Sequence, residues 1–120
     1  MFNWSNVHAS LKALEPQEGE NPMNEQSQQD IAAACDAIKE LLLRKNKAYG
    51  DSALNPLRIL SKASALEQLK VRFDDKLSRL LRGEELPDES FDQTIDDAIG
   101  YLMLIKVARK REKTAKQVMK

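Results

Sequence analysis

The chain has 120 residues, with 19 basic and 19 acidic side chains and a formal net charge of zero, so no bulk attraction to DNA, RNA or an anionic membrane is expected. Charged residues make up 32% of it and aromatic ones only 5%, while Ala, Leu, Lys, Glu and Asp dominate, a composition that predicts one all-α domain. No stretch approaches the ~18 apolar residues of a membrane span, the start lacks the basic-then-apolar pattern of a signal peptide, and the single Cys35 has no intramolecular partner, so a cytoplasmic protein is expected.

Trp4, Val7, Leu11 and Leu14 recur at steps of three and four and predict one apolar edge of a short helix. The polar stretch 15–28, with Pro16, Gly19 and Pro22, reads as a linker, so residues 1–25 form an N-terminal arm and linker. A first long helix is expected from about Gln26 to Lys45 or Lys47. Ser27 and Asp30 would form its cap, Ile31, Ala34, Cys35, Ile38, Leu41 and Leu42 its buried stripe, and Gly50 its stop. Asn55-Pro56 looks like an N-cap with a first-turn proline, predicting a short helix over 56–63.

The second long helix has an explicit start, since Ser64 to Glu67 is an S-x-x-E capping box, and Gly83 should end it. Leu66, Leu69, Phe73, Leu77 and Leu80 form its apolar stripe. The third begins near Pro87 with Asp88 or Ser90 and runs to about Glu112, leaving 113–120 as a basic tail. Its stretch Ala98–Ala108 is apolar nearly all round apart from Lys106, which suits a bundle centre or a subunit interface. The expected architecture is a helical bundle of three main helices over 26–112, plus the short helix and the arm, assembled as a homo-oligomer.

Charge is distributed unevenly. Glu84 to Asp97 holds seven acids and no base, and Lys106 to Lys120 holds seven bases against Glu112 alone. Acids at the start and bases at the end of one helix both oppose its macrodipole, which is sufficient reason for the pattern.

Three local constellations carry chemistry. The segment after the first helix offers Lys45, Lys47 and Arg58 as cations, Ser52 as a hydroxyl, Tyr49 as a stacking face and Gly50 for close backbone approach. On the second helix, Arg72, Asp75, Lys76 and Arg79 share a sector of about 100° beside the apolar stripe. They form either an exposed charge ladder or a partly desolvated ridge. On the third helix, Thr94, Asp97 and Tyr101 lie in line, and Asp97 at the edge of the apolar run needs a partner. Lys76 would serve, as would a divalent metal shared with Asp75.

Taken in order, "KNKAYGDSALNP", "RFDDKLSRL" and "DESFDQTIDDAIGYLML" resemble the nucleotide modification associated domain, type 1, a family of small, mostly bacteriophage-encoded proteins. Lys45, Asn46, Tyr49, Gly50, Asp51 and Ser52 match its first block. Arg72, Asp75, Lys76 and Arg79 match the second, and Asp88, Glu89, Ser90, Thr94, Asp97 and Tyr101 the third. One departure is Gln93, where the pattern has an acid. The resemblance implies phage nucleotide metabolism or modification in the host cytoplasm, with a distant likeness to the all-α MazG-type nucleotide pyrophosphohydrolases. Those enzymes hold Mg²⁺ on an E-x-x-E helix, a pattern that none of the three long helices predicted here carries.

By that likeness Asp75, Glu89 and Asp97 would form a thinner Mg²⁺ site, with Asp75 and Asp97 activating water. Lys45, Lys47, Arg72 and Arg79 would bind phosphate, Tyr49 or Tyr101 would stack on a base, and Gly50, Asp51, Ser52, Arg58 and Lys76 would complete the ligand site. Three functions follow: a nucleotide-binding protein with Mg²⁺-dependent hydrolysis of a nucleoside phosphate, a non-enzymatic oligomeric sponge for a signalling nucleotide, or a protein-interaction module. The first two require the tyrosine-glycine turn, the ridge beside Asp75 and the Asp97 carboxylate to face one hollow.

Overall fold

The computed structural model describes Val7, Leu11, residues 22–83 and residues 87–118. Three long helices account for most of them: α1 (Pro22–Ala48), α2 (Ala65–Arg82) and α3 (Phe91–Val118). The all-α class expected from composition is observed, with no strand element among the described residues. Contact density divides the chain into two compact units, Met1–Ala34 and Cys35–Lys120. Of the first unit's predicted arm, Trp4 and Leu14 lie outside the described residues, and Val7 and Leu11 are helical.

α1 starts four residues before its predicted start at Gln26, because Pro22 has no N–H to leave without an intrahelical partner in the first turn and Glu25 adds an acid there. Ser27 therefore sits inside the helix. Asp30 accepts a hydrogen bond from Gln26 Nε2 at 2.9 Å instead of capping. The apolar stripe has the right period but only its second half is covered: Ile38, Leu41 and Leu42 are half-buried, while Ile31, Ala34 and Cys35 are exposed.

The end of α1 is strongly specified. Asp51 N–H donates to Asn46 O at 3.0 Å and Gly50 N–H to Lys47 O at 3.3 Å, the paired bonds of a Schellman motif with Gly50 left-handed at φ 60°. Asp51 is left-handed as well, φ 62°, a conformation that aspartate tolerates better than most residues. Its carboxylate is held by Asn46 Nδ2 at 2.7 Å and by Asn55 Nδ2, and these two donors keep the Asp51 carboxyl below its ordinary range.

The short helix expected over 56–63 is absent, and the segment is irregular. Asn55 points its amide back to Asp51 instead of capping forward. Arg58 takes a left-handed φ of 55°, and Leu57, Ile59 and Leu60 are 72–96% exposed, so an eight-residue helix there would have no apolar face to bury. Lys62 Nζ donates to the carbonyls of Arg58 and Ile59 instead.

α2 keeps its predicted limits. Ser64 Oγ accepts the Glu67 N–H, and Gly83, left-handed at φ 67°, donates its N–H to the Arg79 and Leu80 carbonyls. α3 is capped by Ser90 through a reciprocal pair: Gln93 N–H donates to Ser90 Oγ at 3.2 Å and Ser90 N–H to Gln93 Oε1 at 2.8 Å. The residue that departs from the family pattern thus closes a capping box. α3 continues to Val118, six residues beyond its predicted end at Glu112, because 113–118 contains neither glycine nor proline.

The core lies where α2 crosses α3. Leu66, Leu69 and Ala108 are buried, with Ala53, Leu54, Tyr101, Leu104 and Ile105 packed against them. In the predicted stripe of α2, Phe73 and Leu80 are half-buried and Leu77 is exposed. α3 does not occupy a bundle centre: Ile99, Leu102, Met103 and Val107 are 39–49% exposed.

Candidate functional site

Two charged regions adjoin on α2 and α3. The first is a closed network. Lys76 Nζ stands 2.7 Å from Glu89 Oε1 and 3.0 Å from Asp97 Oδ2, and Lys45 Nζ reaches Asp97 Oδ1 at 3.0 Å from α1. Arg79 pairs with Glu89 at 2.9 Å and with Asp75 at 3.4 Å. Buried Thr94 donates its hydroxyl to Glu89 Oε2 at 2.6 Å. Glu89 therefore has three donors, led by Lys76 and then Thr94, and its carboxyl is held down to about 2. Lys76 loses hydration by burial, yet its bonds to Glu89 and Asp97 prevail and raise its pKa.

The second region is a hollow of about 420 Å³ between the end of α1 and the first half of α3. Leu41, Leu42, Ala53 and Leu104 supply apolar wall, Tyr49 and Tyr101 aromatic faces, and Asn46 and Ser52 neutral polar groups. Lys45, Arg72, Asp96 and Asp97 are its charges. Its size is at the lower end of ordinary small-molecule sites.

Gly100 sets the separation of the two helices. It is buried, and a Cβ there would meet Leu42 Cδ2 at 2.9 Å. An interior helical glycine loses about 1 kcal/mol of helix preference relative to alanine. Here its missing side chain lets Leu42 of α1 pack directly on α3.

Of the residues singled out in the sequence, the hollow gathers Lys45, Tyr49, Ser52, Arg72, Asp97 and Tyr101. Lys76 and Glu89 stand behind it in the network, reached through Asp97. Gly50 and Asp51 shape the turn that presents Tyr49 and Ser52 without lining the hollow, and Lys47 and Arg58 are also outside it. Asp75, read as a catalytic or metal carboxylate, is 60% exposed, pairs with Arg79 and is absent from the hollow. The stripe at 72, 75, 76 and 79 is therefore divided: Arg72 belongs to the hollow and the other three to the network.

Asp96 and Gly100 also line the hollow without standing out in the sequence, where Asp96 belongs to an acidic run and Gly100 to an apolar one. The signal for Gly100 was its lone place in an otherwise good helix former.

The carboxylates do not fit Mg²⁺. Among the described residues no three His, Cys, Asp or Glu side chains are grouped to share a metal ion. Both Asp97 oxygens face ammonium groups, and both Glu89 oxygens accept from Lys76, Arg79 or Thr94. A hard cation needs such oxygens free of competing donors.

No family model, no curated protein and no solved structure matches the chain. The family resemblance rests on its three sequence blocks, and the functional reading on the geometry of the hollow. No described helix is long and apolar enough to cross a membrane.

Proposed function

We propose that the hollow binds a nucleotide, or a small phosphorylated molecule with an aromatic ring, without a metal ion. The observation that carries this is the combination lining one cavity: Tyr49 and Tyr101 as stacking faces, and Arg72 as a cation with no ion pair among the described residues. A guanidinium with no ion pair among the described residues, lining a cavity that two tyrosines also line, matches phosphate geometry. Lys45 also lines the hollow, with its ammonium paired to Asp97 at 3.0 Å.

Binding with return of the intact ligand is favoured over hydrolysis. A hydrolase needs a base or a metal-activated water at the reacting phosphate, and Asp97 is engaged by two lysines. The three sequence blocks add a context of phage nucleotide metabolism or of sequestering a signalling nucleotide. A thermal-shift screen of nucleosides and nucleotides, run with EDTA and with Mg²⁺, tests the reading. Stabilisation in EDTA, with the ligand recovered unchanged, is expected. No stabilisation by any nucleotide would overturn it, and Mg²⁺-dependent consumption would replace it with the hydrolase.

A homo-oligomer belongs to the same proposal. Ile99, Leu102, Met103 and Val107 fall on one side of α3 and leave an exposed apolar strip, which a second copy of this chain would cover. Sedimentation should show a species heavier than the 13.6 kDa chain, and Leu102→Glu with Met103→Glu should return it to monomer.

A further inference from the structure

The hollow contains a second uncommitted charge. Asp96 lines it, is half-buried, and makes no ion pair or side-chain hydrogen bond among the described residues. Its neighbour Asp97 is neutralised by Lys45 and Lys76, so the charges left for a ligand are one cation, Arg72, and one anion, Asp96. The ligand must then bring one compact anionic group and, apart from it, hydrogen-bond donors without added negative charge.

On this basis, and resting on the nucleotide reading above, we propose that the hollow selects a nucleoside monophosphate over the triphosphate, with Asp96 accepting hydrogen bonds from the sugar hydroxyls. A carboxylate is acceptor-only and takes two donors at once, which suits a vicinal diol. The phosphate sits on Arg72 and the base against Tyr49 or Tyr101. A triphosphate adds further negative charge to a small cavity that holds the Asp96 carboxylate, and beyond Arg72 no cation without an ion pair lines it among the described residues. Like charges in a partly desolvated site repel strongly enough to reverse the usual preference for the more highly charged ligand.

Calorimetric titration in EDTA tests this, using adenosine, AMP, ATP and 2′,3′-dideoxy-AMP, or the same set on whichever base the screen favours. AMP should bind about 10-fold more tightly than adenosine and about 10-fold more tightly than ATP, and removal of both hydroxyls should weaken it by about 10-fold. Asp96→Asn should bind ATP more tightly than the parent chain does and lose most of its distinction between AMP and the dideoxy form. Equal or tighter binding of ATP by the parent chain, or indifference to the hydroxyls, would overturn the monophosphate proposal while leaving nucleotide binding intact. Tryptophan, which also offers an anion, donors and an aromatic ring, serves as the competitor, and tighter binding of tryptophan than of AMP would overturn it too. Failure of every nucleotide to bind removes the reading beneath it.

Discussion

Lys76 and Arg72 occupy the same helix one turn apart and meet opposite circumstances. Lys76 is 11% exposed and stands between two carboxylates, whereas Arg72 is exposed and has no ion partner among the described residues. The network around Lys76 ties α2 to the start of α3 through Glu89, Thr94 and Asp97, and Lys45 extends it to α1. Charge around Lys76 holds the helices together. Charge around Arg72 remains available to something else. On one α2 stripe, partnering separates the charge that joins the helices from the charge that lines the hollow.

Removal of Lys76 should show that difference most strongly. Lys76→Met leaves Glu89 and Asp97 each short of a cation in a mostly covered site, and should cost about 3 kcal/mol in urea unfolding. A loss under about 1 kcal/mol would mean that the network is ornamental.

Acid should loosen the same network next. Glu89 has its carboxyl held down to about 2 from an ordinary 4.5. A depressed folded-state pKa contributes stability that is complete above the unfolded value and disappears as pH falls through the folded one. Stability should therefore be level above pH ~5 and fall by about 2 kcal/mol between pH ~4.5 and ~2. Glu89→Gln should be less stable at neutral pH and lack that part of the acid limb, as circular dichroism against pH would show.

Gly100→Leu comes third, because a side chain there must push Leu42 aside and part α1 from α3. A stability loss of about 2 kcal/mol is expected, together with loss of ligand stabilisation in the thermal screen. Gly100→Ala should fall between this variant and the parent, since the close contact is with the mobile end of Leu42. The smallest effect on the fold should come from Arg72→Ala. Its stability should stay within ~0.5 kcal/mol of the parent, while ligand affinity weakens by about 1.5 kcal/mol or more.

Much of this was legible in the sequence where a rule is local. The S-x-x-E start and glycine end of α2 and the glycine stop of α1 depend on neighbouring residues alone, and all three stand. The short helix at 56–63 failed because Asn55-Pro56 offers a start signal without an apolar face to follow it. Leu57, Ile59 and Leu60 find no core, and Arg58 turns left-handed. The division of the α2 stripe was not legible either, since spacing places Arg72, Asp75, Lys76 and Arg79 on one face without saying which opposing groups each will meet. Glu89 and Asp97 decide that, and they lie on the far side of a connection. The sequence blocks also proved partly architectural: Glu89, Ser90, Thr94 and Lys76 serve caps and ion pairs, which fixes the helices that shape the hollow.

Arg72, Asp96 and two tyrosines line one hollow, and a ligand bound by them would contact that hollow alone. Titration of AMP into the isotopically labelled protein, followed by amide NMR, tests it directly. Shifts should concentrate on residues 41–53, on Arg72 and on residues 96–104, leaving Asp75, Arg79 and the α2 C-terminus unmoved. Shifts centred on Asp75, Arg79 and Glu89, or no shifts at millimolar AMP, would rule out binding in the hollow.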